Sequence, residues 1–160
     1  MRTGLLQDWY VNRGDLRIQI SLLLFRWAST FRIAGAASWV ARRVYLVIVE
    51  WIFGIELPWS TVVGERVRVF HGTGLVVHAG ARLGSDVVLR QGVCIGETHP
   101  GSGVPVIEDG VDIGANACVL GPVRVGARAK IGAGAVVLMD VPPGATVAGV
   151  PARMMRTNSQ

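Results

Sequence analysis

The sequence predicts a mainly β chain, a parallel β-helix of short stacked strands preceded by a short α-helical segment. Three observations carry this reading. Glycine is abundant, 21 of 160 residues, against a usual share of about 7%. It is also unevenly placed, with 4 glycines up to residue 57 and 17 beyond it. After the change an aliphatic residue recurs every six positions, whereas before it apolar residues follow helical steps. The chain is 51% hydrophobic and 17% charged, which excludes a disordered polymer because there is ample apolar surface to bury. No Gly-X-Y period is present, so collagen is excluded.

Residues 1–57 form the expected helical segment. Leu16, Ile20, Leu23, Leu24, Trp27 and Phe31 make one stripe; Val40, Val44, Val47, Ile48 and Trp51 make a second. Gly35 and Ser38 are the expected break between two helices. The stripes are read as packing surfaces against the rest of the protein or another subunit. Peripheral contact with a membrane is the sharper alternative, because four of the five tryptophans lie in this segment.

Residues 58–153 form the expected coil, and 154–160 a short tail. The anchors are Val63, Val69 and Leu75, then, after a two-residue phase shift, Val77, Leu83, Leu89 and Ile95. Ile107, Ile113, Val119, Val125, Ile131 and Val137 follow without a break. Six consecutive hexads fit neither a helix nor an ordinary strand; they fit a solenoid whose stacked turns bury an aliphatic column. The residue after an anchor is often glycine: Gly64, Gly84, Gly96, Gly114, Gly126 and Gly132. Glycine there is expected to supply the backbone angles of a corner. Residues 97–104, Glu-Thr-His-Pro-Gly-Ser-Gly-Val, leave the hexad pattern and are expected to form a loop.

Net charge is +5, and 15 of the 16 basic residues are arginines. They are scattered rather than clustered, which argues against nucleic acid as a partner. Cys94 and Cys118 show no metal-ligand spacing and are expected to be buried free thiols, as in a reducing cytoplasm. The N-terminus lacks a secretory pattern, and no apolar run reaches the roughly 18–20 residues of a membrane span. The expected location is cytoplasmic, with the inner membrane face as the variant that fits a membrane-touching helix pair.

The run 113–153, IGANACVLGPVRVGARAKIGAGAVVLMDVPPGATVAGVPAR, resembles the C-terminal half of hexapeptide-repeat acyltransferases. His71-Gly72-Thr73-Gly74 resembles the "HATG" motif of their serine acetyltransferase branch. In length, and in Ile52-Phe53-Gly54-Ile55-Glu56-Leu57, the chain is most similar to the short acetyltransferases of exopolysaccharide and colanic-acid biosynthesis. The resemblance implies a left-handed coil, a hand that periodicity alone does not give. It also implies a homotrimer, or a dimer of trimers, with sites between neighbouring subunits. The implied reaction is O-acetylation by acetyl-CoA, with no metal.

Carried over residue by residue, the resemblance makes His71 the general base. That histidine lies two positions after the inward anchor Val69, at the phase shift, and imidazole titrates where a hydroxyl proton can be taken at neutral pH. Glu56, fifteen residues earlier, takes the place of a carboxylate that orients the imidazole. Phe70, His78 and His99 are candidate acceptor contacts. Gly114, Ala115, Gly132, Ala133, Gly134 and Arg153 are candidates for binding acetyl-CoA. Two departures stand out. Phe70 replaces an acidic residue of the serine enzymes, and Gly103-Val104 aligns with their Arg-His pair in a loop about two residues shorter. Both remove partners for an amino acid, so a sugar hydroxyl is the favoured acceptor and serine the alternative. The remote alternatives are a zinc hydratase using His71, His78 and His99, and a non-catalytic scaffold.

Overall fold

A computed structural model describes residues 4–30 and 36–155. It shows the expected parallel β-helix, entered through helices. Three sheets form its sides. One has five strands in the order 55–56, 75–77, 94–96, 118–120 and 136–137. A second has four: 62–63, 82–83, 106–107 and 124–125. The third has six, running 68–70, 88–90, 112–113, 130–131, 146–148 and 153–154. Every pairing is parallel except the last, where Arg153–Met154 folds back on Thr146–Ala148. Ile55–Glu56 already pairs with Leu75–Val76. The boundary expected after residue 57 therefore falls inside the first turn, and the strand Arg153–Met154 crosses the one expected after residue 153.

The anchors from Val69 to Val137 are buried, and Val63 packs against the same core. A companion column escaped the sequence reading. Val67, Ala81, Val87, Val93, Val111, Ala117, Val123, Ala129 and Ala135 each precede an anchor by two residues, and all are buried. Small side chains fit there because the triangular section narrows towards its corners.

The glycines after the anchors need a different explanation from the one expected. None of the six has a positive φ. Five are required because the next turn passes against them: a Cβ on Gly114 would lie 2.4 Å from the Ala133 nitrogen, and one on Gly126 2.5 Å from the Pro143 nitrogen. Left-handed angles belong instead to stacked corner residues such as Asp86, Gly110 and Arg128.

The helical segment is α1 (Leu16–Thr30) and α2 (Ala36–Tyr45), the latter continuing as π-helix through Leu46–Ile52. Asp15 caps α1, its Oδ1 accepting from the Ile18 amide at 3.1 Å. The break lies between Thr30 and Ala36: Gly35 is outside the described residues, and Ser38 has helical backbone. Both stripes are corrected. In α1 the buried apolar face is Ile18, Leu22, Phe25 and Ala28, whereas Leu16 is 63% exposed. In α2 and its extension it is Ala41, Tyr45 and Val49, whereas Trp51 is 86% exposed. Both segments are apolar on more than one face, so the period alone did not identify the packed one. The thiols are also corrected: Cys94 and Cys118 are free but half-buried, side by side on the outer face of the five-strand sheet.

These helices close the open end of the coil. Asn12 donates to the Val67 carbonyl at 2.8 Å and accepts from the Val69 amide at 2.9 Å. Its carboxamide thus stands in for a missing strand above 68–70. Asp8 accepts from the Val67 amide at 2.9 Å and from Arg26 Nε at 2.7 Å, while Arg26 donates to the carbonyls of Val63 and Gly64. Tyr45 donates to the Leu57 carbonyl. The first strands of the four- and six-strand sheets are therefore met by polar side chains, and Tyr45 caps the chain just beyond Ile55–Glu56, which blunts the edge a solenoid would otherwise present.

Candidate active site

The two-residue phase shift is a bulge at the corner between the six-strand and five-strand sheets. Phe70 pairs with Arg90, and Gly92 donates to the Thr73 carbonyl. Three residues, 71–73, therefore stand opposite one, Gln91. His71 and Gly72 both take left-handed angles, φ 66° and 56°. Arg66, Asp86, Asn116 and Arg128 share that conformation at other corners, so what sets this corner apart is the three-for-one bulge. The bulge is held from α1. Arg17 donates to the His71 carbonyl and, at 3.1 Å, to Thr73 Oγ1. Gly72 packs against Ile18 and Ile55, leaving less than 3 Å for a side chain. His71 is exposed.

Glu56 lies on the outer face of the five-strand sheet, in register with Val76 and then Cys94. Among the described residues no hydrogen bond joins it to His71. Glu50 lies within electrostatic reach, and burial together with the charge of Glu56 raises the Glu50 pKa. Burial and the neighbouring Cys118 raise that of Cys94, so this thiol is a poor nucleophile at neutral pH.

His78 and His99 do not join His71. They lie beyond the opposite edge of the five-strand sheet, at its corner with the four-strand sheet. His78 Nδ1 accepts from the Gly80 amide at 3.0 Å and so closes its own turn. His99 belongs to the loop 97–104, which Ser102 organises by accepting from the Thr98 and His99 amides at 3.1 and 3.3 Å. Among the described residues no cluster of three or more His, Cys, Asp or Glu is placed to hold a metal ion.

The proposed acetyl-CoA residues sort differently. Ala115 and Gly134 lie on the same corner as His71, one rung apart, joined by a 2.8 Å hydrogen bond. Ala133 and Gly134 are exposed, and nothing lies within 4 Å of a Cβ built on Gly134. This corner offers an open track descending from His71 at about 4.8 Å per rung. Gly114 and Gly132 are explained by contacts with the next turn. Arg153 is exposed on the terminal strand, its guanidinium 3.0 Å from the Ala152 carbonyl.

One feature escaped the sequence reading. Between residues 11–15 and the strand 68–70 lies a groove of about 270 Å³, lined in part by Arg13, Arg68, Phe70 and His71. Arg68 lies over the Phe70 ring, 4.5 Å from its centre, and Arg90 approaches it at 5.5 Å. Its walls come from segments more than fifty residues apart, so only the arginine-rich composition hinted at it.

Comparison with known proteins agrees with this fold. Residues 105–138 match the family model for bacterial transferase hexapeptide (six repeats). The matched stretch lies within the coil and carries the six-residue repeat described above. The chain bearing it is 40% identical to serine acetyltransferase of Bacillus licheniformis over 132 residues, 81% of this chain and 57% of that protein. It is 44% identical to that of Escherichia coli K12 over 105 residues, 64% of this chain and 38% of that one. The chain thus spans about half the length of the curated relatives it matches. It superposes on soybean serine acetyltransferase apoenzyme with a TM-score of 0.81 and 29% identity, covering 96% of this chain and 68% of that one. A serine acetyltransferase complexed with CoA gives 0.75 and 32%, covering 89% and 58%.

Proposed function

We propose that this hexapeptide-repeat chain is an acetyl-CoA-dependent O-acetyltransferase with His71 as general base. The observation that carries the proposal is the braced three-residue bulge that sets His71 at the head of an open corner track. The similarity to serine acetyltransferases, one of them complexed with CoA, supports the same chemistry. The His71 imidazole takes the proton of the acceptor hydroxyl while its oxygen attacks the thioester carbonyl. The tetrahedral oxyanion is stabilised by nearby backbone amides. Its collapse expels the coenzyme A thiolate, which recovers the proton from the imidazolium. Glu56 stabilises that imidazolium by its charge.

The names of the relatives favour serine as acceptor over the sugar that the sequence motifs suggested. The sugar reading is retained as second because Phe70 stands beside His71 where the serine enzymes carry an acidic residue. The homotrimer is part of the proposal: the five-strand sheet's outer face, with Val76, Leu120 and Leu138, suits a second copy. A cytoplasmic location goes with it. Among the described residues no helix is long and apolar enough to cross a membrane.

The test is thioester consumption with serine and with a panel of sugar acceptors. His71→Ala is expected to lower turnover by about 10²–10⁴-fold while the assembly sediments as the wild type does. Near-normal transfer by this variant overturns the assignment.

A further inference from the structure

We infer that the groove beside His71 is an anion subsite for the acceptor, and that the acceptor carries a phosphoryl group near the hydroxyl it presents. The inference rests on the transferase reading for the placement of that hydroxyl, and on its second form, the sugar acceptor, for what is bound.

Four observations carry it. The groove is bounded by Arg13 and Arg68, which among the described residues contact aromatic rings and no acid: Arg13 lies 4.9 Å from the centre of the Tyr10 ring, Arg68 4.5 Å from that of Phe70. Each guanidinium thus keeps its in-plane donors for a ligand, and a planar fork matches phosphoryl oxygens. Arg90, which also approaches Phe70, pairs with Asp112 and donates to the Ile113 carbonyl at 2.9 Å, so the two charges balance and Asp112 does not oppose an anion in the groove. The acidic residue on the lining is Asp15, whose Oδ1 is engaged by the Ile18 amide at 3.1 Å. Lastly, about 270 Å³ is far more than an amino-acid carboxylate fills, and a phosphoryl or diphosphoryl group with part of a sugar suits it better. The two arginines would hold the phosphate, with Phe70 holding the Arg68 guanidinium in place.

That phosphate could belong to a soluble nucleotide sugar or to a lipid-linked glycosyl phosphate; the recognition chemistry is shared. The test has two arms, both on the full-length assembled protein. In the first, pyrophosphate binding is measured by calorimetry. Arg13→Met and Arg68→Met are each expected to weaken it about ten- to a hundred-fold, and Arg82→Met, an exposed arginine on the four-strand sheet, to leave it unchanged. Binding that is absent, or indifferent to Arg13 and Arg68, overturns the subsite. In the second, acetyl transfer is compared for a nucleotide sugar, a detergent-dispersed glycosyl phospholipid, the free sugar and serine. The subsite predicts that one phosphorylated acceptor is preferred, and that Arg68→Met raises its KM with little change in the KM for acetyl-CoA. Preference between the first two identifies the source. Serine or free sugar as best acceptor, unaffected by Arg68→Met, overturns the subsite and leaves the transferase standing. Arginine-dependent pyrophosphate binding with no thioester consumption overturns the transferase and leaves an anion site.

Discussion

Glu50 and Glu56 show how single carboxylates near the site are tuned. Burial first, and then the charge of Glu56, push the Glu50 pKa up. A carboxyl whose folded pKa lies above its unfolded one binds more protons in the native state, so stability falls as pH rises through that window. Glu50→Gln is therefore expected to raise the melting temperature at pH 7 relative to wild type. The gain should fade as pH falls below the ordinary carboxylate range, where both states are protonated; melting curves at pH 3 and pH 7 check this. At this scale the sequence was only partly legible. His71 was readable because it sits at the slip in a strict repeat, and the slip is a physical bulge. The groove beside it was not: Arg13 and Arg68 are brought together by the fold, and no local pattern marks such a meeting. His78 shows the converse, since a histidine near the motif proves to close its own turn.

The stacked rung is the element that the sequence specified best. A residue every six positions is buried because each flat side contributes one inward anchor, and a period that strict has no competing explanation. The reason for the glycines was not legible, because a close approach between turns sixteen or more residues apart leaves the same mark as a backbone requirement. The two explanations predict different mutants. At Gly114 an added Cβ meets backbone at 2.4 Å; at Gly96 its nearest neighbour is the His78 Cβ at 3.9 Å. Gly114→Ala is expected to cost about 1–3 kcal/mol, the usual penalty of overpacking, whereas Gly96→Ala is expected to be neutral or slightly stabilising through the unfolded chain. Equilibrium urea unfolding of both variants checks the contrast. The helices are the opposite case. Val40, Val47 and Trp51 follow a helical period yet are exposed, because a segment apolar on two faces has a period without a direction.

Across the whole molecule, a coil of this kind is a one-dimensional stack in which each rung contacts only its neighbours. Its weakest places are its ends, and the N-terminal end is also where the proposed catalytic bulge lies. Asn12, Asp8 and Arg26 supply the hydrogen bonds that a preceding rung would have made, and Arg17 reaches from the same helix to the bulge. The cap therefore serves both stability and the geometry of His71. Asn12→Ala would leave the Val67 carbonyl and the Val69 amide without their partner, at about 1–3 kcal/mol for each buried group left unsatisfied. The loss should be local, because rungs far along the stack do not touch the cap. In native-state hydrogen exchange, the amides of Val69, Gly74 and Leu75 are expected to lose protection, while those of Cys118, Lys130 and Gly132 keep theirs. If the bulge depends on the cap, turnover should fall in the same variant although His71 is intact. Uniform loss of protection along the coil would show instead that the stack unfolds as one unit, with the cap contributing only to the total.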